Sequence, residues 1–88
     1  MNDQSDSPRL KLYIKPGCPW CIDAVAYLKR AGFAFEEIDV IHHSDQFDEM
    51  RRISGQSRAP TLTLGDLMLA DFDVDELRTF FAENGIQP

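Results

Sequence analysis

Both cysteines of this chain, Cys18 and Cys21, fall within one eight-residue stretch, KPGCPWCI, from Lys15 to Ile22. Two thiols at this spacing can serve three chemistries. A structural zinc site needs four ligands, and one C-x-x-C supplies two. His42 and His43 are the only histidines, adjacent in a loop and poorly placed to complete one tetrahedron, so no metal is expected. Free cysteines also act as small buried apolar residues. That suits Cys21, which lies on an apolar helical stripe, but not Cys18, which sits in a Gly-Cys-Pro loop before it. Thiol–disulfide exchange is the third use, and local geometry supports it.

Cys18 fits a helix N-cap, with Pro19 in the first helical slot, where a missing N–H costs nothing. The N–H groups of Trp20 and Cys21 then have no intrahelical partner and point back at the Cys18 sulfur. Together with the positive end of the helix dipole they favour a thiolate over a thiol. An ordinary cysteine, with a pKa of ~8.5, is only about 3% ionised at pH 7. A helix terminus contributes ~0.3–2 kcal/mol, less than a depression of two or three units requires at ~1.4 kcal/mol each. Lys15, three residues before Cys18, is the cation expected to add to it. Cys21, one turn later and more buried, is the expected resolving thiol. Cys18 attacks a substrate disulfide, and Cys21 displaces the reduced product from the mixed disulfide.

Several elements must position this pair. Arg9 to Ile14 places Leu10, Leu12 and Ile14 at a spacing of two, a strand. From Pro19 to Ala31 the apolar residues Cys21, Ala24, Val25, Leu28 and Ala31 form one helical stripe, ended by Gly32. Phe33 to Val40 reads as a second strand. Ser44 to Ser54 reads as a helix capped by Ser44 or Asp45, with Phe47, Met50 and Ile53 facing inward and Gly55 ending it. Thr61 to Leu64 alternates, with Leu62 and Leu64 inside and the threonines outside. Gly65-Asp66 signals a two-residue hairpin leading to a strand over Leu67 to Ala70. Asp73 to Glu76 is close to a capping box, and Val74, Leu77, Phe80 and Phe81 give the last helix its apolar face before Gly85. The order is β-α-β-α-β-β-α. The first two strands are expected to be parallel and the last two to form an antiparallel hairpin.

The chain of 88 residues is expected to be one domain over residues 9–88, after a polar N-terminal tail over residues 1–8. The net charge is −6, and from Thr61 onward six carboxylates face Arg78 alone, a local balance of −5. That acidity argues against nucleic acid, whose phosphates call for clustered Lys and Arg. No apolar run approaches a membrane span, so no membrane partner is expected. MNDQSDSPR lacks the apolar core of a secretory signal, and a cytoplasmic, reducing location is the expectation.

The chain resembles the glutaredoxins from Arg9 to about Phe81. The resemblance rests on Lys15 and Cys-Pro-Trp-Cys after the first strand, on GQSRAPTL from Gly55, and on the acidic helix start at Asp73. It implies a thioredoxin fold, a four-stranded mixed sheet flanked by three helices. It implies a cis peptide before Pro60, facing the cysteines, with Ala59 offering backbone groups to a bound thiol. The implied activity is reduction of protein disulfides and glutathione mixed disulfides by a monomer, with glutathione as co-substrate and electron donor. Glutathione would lie between Lys15, Trp20, Arg58-Ala59 and Asp73, with Lys15 meeting its glycine carboxylate and Asp73 its γ-glutamyl end.

Two positions depart from the family pattern. Arg58-Ala59 replaces Thr-Val before the proline, and Ala70-Asp71 replaces Gly-Gly before the acidic helix start. Asp71 adds negative charge beside a pocket for an anionic tripeptide. The segment SRAPTL is also similar to redoxins that thioredoxin reductase feeds, so the electron source stays open between the two. A dimer bridging an iron–sulfur cluster through Cys18 is a further alternative.

Overall fold

A computed structural model describes residues 9–88; the expected tail over residues 1–8 lies outside the described residues. The elements follow the expected order. They are β1 (Leu10–Ile14), α1 (Pro19–Ala31), β2 (Glu36–Asp39), α2 (Ser44–Ser54), β3 (Thr61–Leu64), β4 (Leu67–Ala70) and α3 (Val74–Asn84). The strands form one sheet in the order β2-β1-β3-β4. β1 pairs in parallel with β2 and antiparallel with β3, and β3 and β4 make the expected antiparallel hairpin.

Strand alternation divides the core between the two sheet faces. On one face Leu10, Leu12 and Leu62 pack with Ala24 and Leu28 of α1 and with Leu77 and Phe81 of α3. On the other, Tyr13 and Ile38 pack with Val40 and with Met50 of α2. Both faces are covered, which corrects the reading of β3. Thr61 and Thr63 are buried rather than outside, because their register partners Tyr13 and Lys11 place them on the face beneath α2. Phe72, just before α3, is buried as well.

Further differences from expectation concern β2 and α2. β2 starts at Glu36 rather than Phe33, since the Phe33 N–H is already donated to the Leu28 carbonyl in the turn that closes α1. α2 is capped by His43 without a side-chain hydrogen bond, and Ser44 is its first helical residue. Ile53, expected inward, stands exposed at the rim while Met50 is fully buried. Gly32 ends α1 in the left-handed conformation, its N–H returned to the Leu28 and Lys29 carbonyls.

Candidate active site

β1 delivers the chain to the cysteines through a tight turn. The Cys18 N–H donates to the Lys15 carbonyl at 3.2 Å, and Gly17 has φ 82°. Proline second and a positive-φ glycine third are the residues a type II turn demands. A side chain on Gly17 would meet nothing within 4 Å, so glycine is there for its backbone and not for space.

The turn leaves Cys18 as the N-cap of α1, with extended φ and ψ and Pro19 behind it. The Cys21 N–H donates to the Cys18 sulfur at 3.3 Å. Trp20, the other expected donor, makes no such bond; among the described residues the contact runs from the third helical position alone, as in other N-caps. No acidic side chain occupies the first turn of α1. The two thiols have unlike surroundings: Cys18 is half-buried, whereas Cys21 is 2% exposed. Burial pushes the Cys21 thiol up to about 12, and its hydrogen bond to the Cys18 sulfur adds to this, against a smaller pull from the Lys15 backbone and ammonium. Cys21 therefore stays protonated beneath Cys18.

Facing this pair is the loop from Gly55 to Pro60. The Ala59–Pro60 peptide is cis, as expected, and the Cys18 sulfur lies 3.9 Å from the Ala59 carbonyl oxygen. Pro60 is buried, and its carbonyl accepts from the Asp71 N–H at 2.8 Å. Gln56 organises the loop from within. Its amide nitrogen donates to the Ser54 hydroxyl, the Arg58 carbonyl and the Thr61 hydroxyl, and its oxygen accepts the Arg58 N–H at 2.7 Å. Sequence reasoning missed Gln56, because a glutamine in a polar loop carries no signal until its partners are known.

The remaining expected site residues are placed as follows. The Lys15 ammonium donates to the Ser57 carbonyl at 2.8 Å and lies 5.3 Å from the Phe47 ring centre; no hydrogen bond joins it to Cys18 among the described residues. Trp20 is 47% exposed and shares with Asp73 a cleft of about 380 Å³, lined also by Asp23, Ala26, Arg30 and Val74. Asp73 caps α3 in a complete capping box: its carboxylate accepts the Glu76 N–H at 2.8 Å, and the Glu76 carboxylate accepts the Asp73 N–H at 3.0 Å. Arg58 turns to Asp71, with 3.3 Å between guanidinium and carboxylate. The structure thus gathers Cys18, Cys21, Ala59 and Pro60 at one point. Lys15, Arg58 and Asp73 are each engaged with another group of the protein.

Comparison with known proteins gives consistent relationships. The glutaredoxin family model matches residues 10–68. An uncharacterised glutaredoxin-like 8.6 kDa protein from a rubredoxin operon of Clostridium pasteurianum is 31% identical over 68 residues, 77% of this chain and 91% of its own. Among solved structures, a glutaredoxin from Brucella melitensis has a TM-score of 0.65 at 31% identity, covering 88% of this chain and 82% of its own. The glutaredoxin-like NrdH-redoxin from Escherichia coli, described as having a thioredoxin-like activity profile, has a TM-score of 0.68 at 27% identity and covers 81% and 92%. The four-stranded mixed sheet and three helices are those of the thioredoxin fold.

Proposed function

Because this chain belongs to the glutaredoxin family, we propose that it is a dithiol oxidoreductase in which Cys18 attacks disulfides and Cys21 resolves them. The observation that carries this reading is the asymmetry of the two sulfurs. Cys18 is presented at a helix N-terminus opposite Ala59 and the cis-proline, and Cys21 is held protonated behind it.

In the first step the Cys18 thiolate forms a bond to one sulfur of the substrate, the substrate S–S bond breaks, and the departing thiolate takes a proton. In the second step Cys21 gives up its proton and attacks the Cys18 sulfur, releasing the other substrate thiol. The substrate gains two electrons and two protons, and Cys18 and Cys21 end as a disulfide. The high pKa of Cys21 keeps it from competing as the first nucleophile. Its short distance to the mixed disulfide then makes resolution intramolecular.

Family membership supports glutathione as the electron donor, with Lys15, Trp20, Arg58, Ala59, Pro60 and Asp73 as the groups that would hold it. Specific observations favour a second reading, in which a flavoprotein such as thioredoxin reductase supplies the electrons. Arg58 and Asp73 are each committed to an internal partner, and the NrdH-redoxin relative is described as thioredoxin-like in activity. The deciding experiment follows NADPH consumption with one disulfide substrate and two electron sources, glutathione with its reductase or thioredoxin reductase alone. Turnover with glutathione supports the first donor, and turnover with thioredoxin reductase only supports the second. Absence of turnover with both, in protein whose two thiols titrate as free, would sink the oxidoreductase reading.

A further inference from the structure

Among the described residues, Asp71 is the one non-glycine with positive φ, at 58°. Two contacts hold it there: its N–H is bonded to the Pro60 carbonyl, and its carboxylate is paired with Arg58. Pro60 and Arg58 are the immediate neighbours of Ala59, whose carbonyl faces the Cys18 sulfur. The backbone that carries the ion pair therefore adjoins the residue that faces Cys18. The carboxylates that follow at the start of α3 have other partners. Asp73 and Glu76 are spent on each other's backbone, and Asp75 lies 3.6 Å from Arg78. Arg58 is the cation nearest in the chain to the cis-proline, and Asp71 occupies it.

We infer that the Arg58–Asp71 pair is a specificity clasp: Asp71 withholds Arg58 from carboxylates carried beside a substrate cysteine, disfavouring small anionic disulfides against neutral ones. The inference rests on the oxidoreductase reading and names the substrate class of that site. The geometry makes the pair unequal. Asp71 is fixed by its backbone bond to Pro60, whereas Arg58 is a long side chain, 76% exposed, able to leave for another carboxylate. An exposed pair of this kind opens readily, so the clasp biases binding and does not bar it. A carboxylate on the substrate competes with Asp71 for one guanidinium and meets the Asp71 charge as it approaches.

The test is single-turnover oxidation of the dithiol protein by excess disulfide, with quenched thiol counting. Hydroxyethyl disulfide serves as the neutral probe and glutathione disulfide as the anionic one, and the readout is the ratio of their second-order rate constants. Asp71→Asn and Asp71→Gly both accept positive φ, so both keep the backbone while removing the charge. Each is expected to raise the anionic-to-neutral ratio about three- to tenfold at low salt, a gain that shrinks towards about 0.5 M salt. Adding Arg58→Gln to Asp71→Asn should remove the gain. A ratio equal to wild type in both folded variants, or a gain that survives Arg58→Gln, overturns the clasp. Wild-type protein oxidised by neither probe overturns the oxidoreductase reading and the clasp with it; oxidation by the neutral probe with an unresponsive ratio overturns the clasp alone.

Discussion

Helices α1 and α3 begin on two walls of one cleft, and their N-termini are finished in opposite ways. At α3, Asp73 and Glu76 exchange backbone hydrogen bonds, and Asp75 adds a further acidic group to the first turn. The helix dipole is complemented and two of the orphan donors are satisfied. At α1 the cap is a sulfur, a weak acceptor that takes one N–H at 3.3 Å, with no acidic residue in the first turn. The same terminal geometry therefore yields a closed structural end in one case and an open chemical end in the other. What differs is whether an oxygen anion or a sulfur stands at the cap. A carboxylate there stabilises the fold, while a thiol leaves the positive helix end available to an ionised nucleophile.

Substitutions at the two caps break this contrast most directly. Cys18→Ser is expected to lower disulfide reduction by more than about a thousandfold with any electron donor, since the proposed attacking atom is gone. Residual activity above a tenth of wild type would reassign the nucleophile. Cys21→Ser should come next. Reduction of protein disulfides falls by at least roughly tenfold while a Cys18 mixed disulfide accumulates, detectable as an added mass. Equal loss on mixed disulfides and protein disulfides would contradict the resolving role.

A third expectation concerns alkaline stability of the reduced protein. The Cys21 pKa is raised on folding, so the folded state keeps a proton that the unfolded chain loses first. Stability is thus fully present below the unfolded value of ~8.5 and declines by up to ~1.4 kcal/mol per pH unit towards the folded value. Tyr13, raised above the usual tyrosine value chiefly by burial and then by Glu49 and Glu36, acts with the same sign at higher pH. Denaturant midpoints measured from pH 8 to 11 should fall more steeply for wild type than for Cys21→Ala. Parallel slopes would refute the buried-thiol account.

The smallest effects compare the caps as structure. Asp73→Ala should cost about 1 kcal/mol, visible as a melting temperature lower by about 4–8 °C. Cys18→Ala should stay within about 0.5 kcal/mol, because a sulfur contributes little as a cap. Similar losses at both positions would erase the distinction between them.

Much of the fold was legible because it is written locally. The stripe on α1, its start at Pro19 and its end at Gly32 are fixed by residues within a few positions of one another, and the helix runs from Pro19 to Ala31 as expected. The Asp73–Glu76 box is likewise a four-residue signal. β3 departs from expectation because alternation reports which residues share a face, not whether both faces are covered. Thr61 and Thr63 are buried on the sheet face they share with Tyr13, which packs against Met50 of α2, and Thr61 also bonds to the loop after that helix. The onset of β2 lies later than expected because the Phe33 N–H is taken by a carbonyl of the preceding helix.

The site divides along the same line. Sequence alone determined that two thiols one turn apart open a helix after a strand, because helix capping and the proline slot are short-range properties. The apolar stripe of α1 already put Cys21 on the buried side, and only the tertiary structure decided how closely Ala59 stands opposite Cys18. It also decided that Lys15 is spent on Ser57 and Arg58 on Asp71. Those outcomes join residues 13 to 42 positions apart. Burial and charge pairing depend on which distant groups meet, and in this chain the sheet order β2-β1-β3-β4 sets those meetings.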